Sequence, residues 1–125
     1  MTVLSWPALG DLSTFQFYPV ILATSATYPD GYVTTIAATA SKPVGILQDT
    51  PSAAGAMAAV AIAGVSKCAV YAGTTAVLDA IGVRTDGLGG VTTTDNQWTI
   101  GTALSKTADT GVPGIATVLI NVARY

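Results

Sequence analysis

The chain has 125 residues, 50% of them hydrophobic and only 10% charged, with a formal net charge of −2. It contains a single cysteine, no histidine and no glutamate, which excludes a histidine-based catalytic triad, a histidine zinc site and an internal disulfide. Lys42, Lys67, Arg84, Lys106 and Arg124 are scattered rather than clustered, so a phosphate backbone is not an expected partner.

In chain order, residues 1–14 (MTVLSWPALGDLST) have no clean period and are broken by Pro7, Gly10 and Asp11; they read as an extended N-terminal arm, with residues 15–125 forming one β domain. Residues 15–24 (FQFYPVILAT) are apolar and β-rich, with Pro19 marking an edge or bulge. A strand here puts Phe15 and Phe17 on one face and Gln16 and Tyr18 on the other. Tyr28-Pro29-Asp30-Gly31 is a turn, because proline pre-sets the bend and glycine accepts positive φ. Strands are expected at 32–38 and 44–48, the latter opened by Pro43. After a loop at 49–55 comes a long strand at 58–70, or two strands joined at Gly64. In it Val60 and Ile62 alternate with Ala59, Ala61 and Ala63, a period of two. Alanine also suits a helix over 53–63, against which Gly55, Gly64 and the β-branched residues weigh. A short strand or turn at 74–78 precedes a glycine-rich hairpin at 79–90 turning at Asp86-Gly87. Residues 91–95 are polar, and the last strands fall at 97–104 and 115–122. The fold class is all-β, a small sandwich or barrel-like domain.

An internal similarity runs through this pattern. Val44-Gly45, Gly55, Val60 and Ile62 align without gaps onto Ile100-Gly101, Gly111, Ala116 and Val118, at an offset of 56 residues. Each segment reads as strand, loop, strand, as a duplicated hairpin would.

Nothing in the chain carries a catalytic signature. The seven aspartates sit mostly beside Gly, Thr, Ser or Asn, where the side chain bonds its own turn. Gly87-Leu88-Gly89-Gly90 lacks the Gly-Lys-Ser/Thr ending of a phosphate loop. Asp95-Asn96 lacks the alternating ligands of a calcium loop. No cofactor and no metal are expected. Cys68, within an apolar run, reads as a small core hydrophobe. The longest apolar stretch, residues 53–65, is short of the roughly 20 residues a membrane helix needs, and no membrane partner is expected. Phe17 and Trp98 are expected in the core. The candidate partner-binding residues are Trp6 and Leu9 in the arm, and Phe15 and Tyr18 at the start of the first strand. Large aromatic side chains commonly anchor interfaces. A sugar-binding alternative has only Trp98 with Asp95 and Asn96 to offer.

The order of several segments resembles the small capsid decoration, or cement, proteins of tailed phages. The cadence is VGILQD at 44–49, PSAAG at 51–55 and VAIAGVSK at 60–67, then IGTAL at 100–104 and VLINV at 118–122. The likeness spans about residues 15–122. One departure is Thr74, where that family usually has an acidic residue after the glycine of its central turn. The resemblance implies a β-rich homotrimer made in the host cytoplasm. On the outer capsid surface it would clamp neighbouring major capsid proteins, with the N-terminal arm as the clamp. The runner-up reading is another virion β-module, such as a tail or fibre subunit.

Overall fold

A computed structural model describes residues 1–38, 41–71, 76–93, 95–105 and 114–125. Its described residues contain no helix. Among the described residues nine strands form: β1 (Thr2–Pro7), β2 (Pro19–Ala23), β3 (Tyr32–Thr35), β4 (Gly45–Leu47), β5 (Met57–Val70), β6 (Ala80–Val83), β7 (Gly89–Val91), β8 (Trp98–Ala103) and β9 (Gly114–Arg124). Of the short strand or turn expected at 74–78, residues 74 and 75 lie outside the described residues and 76–78 belong to a turn, closed by the Asp79 N–H donating to the Ala76 carbonyl at 3.2 Å. Most of the expected loop between the last two strands lies outside the described residues.

The strands close into two rings that share β5. In the first ring, β1 and β4 flank the N-terminal half of β5, β2 joins β4, and β3 joins β2. A parallel bridge from Ala8 to Val33 returns the ring to the end of β1, reinforced by the Leu9 N–H donating to the Val33 carbonyl at 3.0 Å. In the second ring, β9 flanks the C-terminal half of β5, β8 joins β9, β6 joins β8, and β7 joins β6. A parallel bridge from Val70 to Gly89 closes it, with the Tyr71 N–H donating to the Gly89 carbonyl at 2.9 Å. Closure of this kind removes free strand edges.

The rings are copies of one another. Val20 pairs with Thr35 and Gly45; Ile81 pairs with Val91 and Gly101. Trp6 pairs with Ala58 as Cys68 pairs with Ala116, and Leu4 with Val60 as Ser66 with Val118. Thus β1 corresponds to the second half of β5, and the first half of β5 to β9. The duplication read from the sequence holds for β4 and β8 at an offset of 56 residues, Gly45 matching Gly101. In the following strand Val60 matches Val118, an offset of 58, because the second connecting loop is two residues longer. A shift of two preserves which face each side chain takes, so the pattern survived while the gapless alignment did not.

Each ring has its own core. The first holds Ala8, Leu12, Val20, Val33, Leu47, Ala58 and Val60, with Trp6, Phe15, Val44 and Ile62 packed against it. The second holds Cys68, Val70, Ile81, Ile100, Ala103, Ala116, Val118 and Ile120, and recruits Ile46 and Ala61 from the first half. Size is traded between matched positions. Trp6 is matched by Cys68 and Leu47 by Ala103, while Ala8 is matched by Val70 and Val20 by Ile81, so each interior fills with a different set of volumes.

Three expectations are corrected. Residues 1–14 do not stand apart as an arm. Thr2–Pro7 is extended but paired along β5, and Ala8 and Leu12 are buried in the first core. The absence of a clean period reflects a strand lying in a ring whose inward residues include small Ala8 and whose outward ones include Val3. Residues 15–18 are not strand. Two successive turns form there, the Phe15 N–H bonding the Leu12 carbonyl and the Tyr18 N–H the Phe15 carbonyl, both at 3.0 Å. Phe17 takes φ +68° in the second turn, so Phe15 faces the first core and Phe17 the second. Trp98, expected in the core, is half-buried on β8.

Candidate interaction surfaces

The aspartates that end turns do so as their neighbours dictate. Asp11 accepts from the Ser13 N–H at 2.9 Å, Asp79 from the Ala76 N–H at 2.8 Å and Asp86 from the Leu88 N–H at 3.1 Å. Asp86 also pairs with Arg84 at 3.3 Å, on the surface. The Ser13 hydrogen bonds hold the Asp11 carboxyl below its ordinary value. No group of three metal-ligating side chains occurs among the described residues.

Cys68 is fully buried, and burial pushes its thiol up to about 12. A thiol in that state is neither nucleophile nor ligand at neutral pH. Trp98 carries two cations over its ring, Lys42 and Arg124, each 4.8 Å from the centroid. A sugar stacking on that ring would displace one of them.

The four residues singled out as partner-binding do not form one site. Trp6 lies near the end of β1, packed partly on the first core, and lines an open pocket of about 420 Å³ with Pro7, Thr27, Tyr28, Asp30 and Gly31. This pocket is built by the predicted Tyr28–Gly31 turn, in which the Gly31 N–H donates to the Tyr28 carbonyl at 3.1 Å. Leu9 lies just past β1 and is 45% exposed. Phe15 and Tyr18 meet edge to face, ring centroids 5.1 Å apart, on the turn ahead of β2. Partial burial, and then the Asp86 carboxylate, raise the Tyr18 hydroxyl above its ordinary value.

Other exposed apolar groups were not singled out from sequence. On the outer face of the second ring Val65 pairs with Leu119, and both are exposed, with Ile115 and Leu104 nearby. Val77 and Leu78 project at 55% and 75% exposure from the turn before β6. Their signal in the sequence was an apolar pair between Ala76 and Asp79, hidden because apolar residues are so frequent in this chain.

The architecture defines an all-β module of two fused five-stranded rings with several large apolar side chains exposed on its surface. It is similar to the crystal structure of the head fibre gp8.5 N base of bacteriophage phi29, with a TM-score of 0.72. That likeness covers 96% of this chain and 95% of the other, at 11% sequence identity, and establishes the shared fold. No family model matches the chain, and no curated protein matches it.

Proposed function

We propose that this protein is a structural component of a phage virion, a decoration protein that binds the outer capsid surface and stabilises contacts between major capsid proteins as a homotrimer. The observation that carries this reading is the likeness, over nearly the whole of both chains, to the base of a phage head fibre. A base of that kind belongs to a head. The cement-like cadence of segments at 44–67 and 100–122 points to the same location by an independent route. The composition agrees: few side chains are charged, and large apolar ones such as Leu9, Val65, Leu78 and Leu119 are exposed, as on a face that a partner covers. The reading is non-enzymatic, because the chain offers no histidine or glutamate for proton transfer and Cys68 is protonated and buried.

The fold likeness favours a second reading within the same class, in which the module is the base of a fibre rather than a free cement. Both readings attach the protein to a capsid. They differ in whether a further segment rises from it.

Because Thr2–Pro7 is part of the first ring, deleting the N-terminus would remove a strand and not merely a clamp. The capsid contact is therefore tested with point changes at exposed positions. Purified protein mixed with undecorated capsids is imaged, and density at three-fold or quasi-three-fold positions is expected. Leu9→Asp should weaken binding about tenfold or more while leaving the melting temperature unchanged. Capsids that stay bare at saturating protein would rule the proposal out.

A further inference from the structure

The two halves use one matched turn in opposite ways. In the first half, Phe15–Tyr18 reaches onto the second ring. The Ala69 N–H donates to the Phe17 carbonyl at 2.8 Å, the Phe17 ring packs on the second core, and Tyr18 lies against Gly87. In the second half the matching turn is Ala76–Asp79. The match is close: the Phe17 N–H bonds the Leu47 carbonyl at 2.7 Å and the Leu78 N–H the matching Ala103 carbonyl at 2.8 Å. Both residues are in the left-handed region, Phe17 at φ +68° and Leu78 at φ +72°. Yet Phe17 is packed, and Leu78 stands 75% exposed with Val77 beside it.

The receiving surfaces show the complementary difference. In the second ring the turn covers Ala69 and Gly87. Their counterparts in the first ring are Pro7 and Gly31, and these line the open pocket beside Trp6 and Tyr28. The turn of the first half therefore fills the socket of the second. The molecule is left with one open socket and one projecting apolar turn.

We propose that copies of this protein associate head to tail, the Val77-Leu78 turn of one copy seating in the Trp6–Tyr28 pocket of the next. The occupant is a second copy because the chain already makes this contact within itself, between the same structural positions. A second observation agrees. A leucine in the left-handed region is unfavourable, and Asn or Asp would serve an exposed turn better; its burial against a neighbour accounts for the choice. Pro7 stands where Ala69 donates its N–H, so the contact between copies lacks that hydrogen bond and rests on apolar packing. It is weaker than the internal contact and depends on concentration. Such a heterologous contact closes into a ring when its rotation allows, which is how a trimer would form. The inference supplies the interface for the self-association in the proposed function and does not depend on capsid binding.

The test is sedimentation of the full chain across concentration, with Leu78→Asn and Thr27→Arg as separate variants. Asn accepts the backbone of position 78, and Thr27 is an exposed rim residue of the pocket, so both variants should keep the wild-type melting temperature. Each is expected to move the association midpoint at least about tenfold to higher concentration. The Thr27→Cys/Leu78→Cys double variant should form disulfide-linked multimers on oxidation, with buried Cys68 silent. A wild-type protein that stays monomeric throughout, variants that associate as the wild type does, or a double variant that yields only monomers would overturn the proposal. Protein that stays monomeric in sedimentation at every concentration yet binds capsids would refute this interface and spare the virion reading. Head-to-tail association with bare capsids would do the reverse.

Discussion

Cys68 shows how a single position takes its chemistry from its surroundings. Its counterpart in the first ring is Trp6, which is half-buried at a pocket, whereas Cys68 is fully enclosed. Burial raises the thiol from an ordinary value of about 9 to about 12. The sign follows: below pH 9 the thiol is protonated in both folded and unfolded chains and has no effect. Above pH 9 the unfolded chain ionises first, so stability falls as pH rises towards 12, by about 1.4 kcal/mol per pH unit at most. The raised Tyr18 hydroxyl acts in the same direction at still higher pH. Denaturant unfolding should therefore show a falling midpoint through this window, with a shallower fall in Cys68→Ala. In the native protein at pH 8 a thiol reagent should not react with Cys68, and should react fully once the chain is unfolded. The sequence did indicate a buried, inert cysteine, since it sits in an apolar run without a histidine to activate it.

At the scale of the element, β4 and β8 are each laid against a long strand at a glycine. A Cβ on Gly45 would strike the Ala61 carbonyl oxygen and approach the Val60 Cγ1 to 2.8 Å. A Cβ on Gly101 would strike the Leu119 carbonyl oxygen and approach the Val118 Cγ1 to 2.9 Å. In each case the obstacle is backbone, which cannot rotate away. Gly45→Ala and Gly101→Ala should each destabilise by about 3 kcal/mol or more, measured by chemical denaturation, and by similar amounts in the two halves. A mild effect at either site would mean the two rings are less alike than their pairing indicates. The residues carrying the sequence similarity were these glycines, and they were legible because close approach admits no substitute. The turn at residues 15–18 was not legible. Its apolar residues look like strand, and the turn hydrogen bonds within 12–18 are held in place by long-range ones, from Phe17 to β4 and from Ala69 to Phe17, that no local pattern announces.

At the scale of the molecule, β5 belongs to both rings, and Ile46 and Ala61 of the first half pack in the second core. Neither ring can open without exposing surface buried by the other. Heating should give a single cooperative transition, with equal calorimetric and van't Hoff enthalpies. Leu47→Ala, in the first core only, should lower stability by about 2–5 kcal/mol and still leave one transition, not two. Two resolved transitions would show that the rings fold independently. The same unity explains why residues 1–14 are not a detachable arm: their strand completes a ring whose far side is shared.

By itself the sequence determined the class of fold, the major strands and turns, the internal duplication, and the absence of the groups that histidine- or glutamate-based catalysis requires. These follow from local chemistry: β-branched residues alternating with small ones, glycine and proline at bends, and residue types simply not present. Only the tertiary structure decided that the duplication closes into two rings on one shared strand, that the N-terminal segment is built into the first, and that a turn engaged in one half projects free in the other. Those facts depend on which distant segments meet, and an apolar residue carries the same sequence signal whether it packs against its own chain or waits for another.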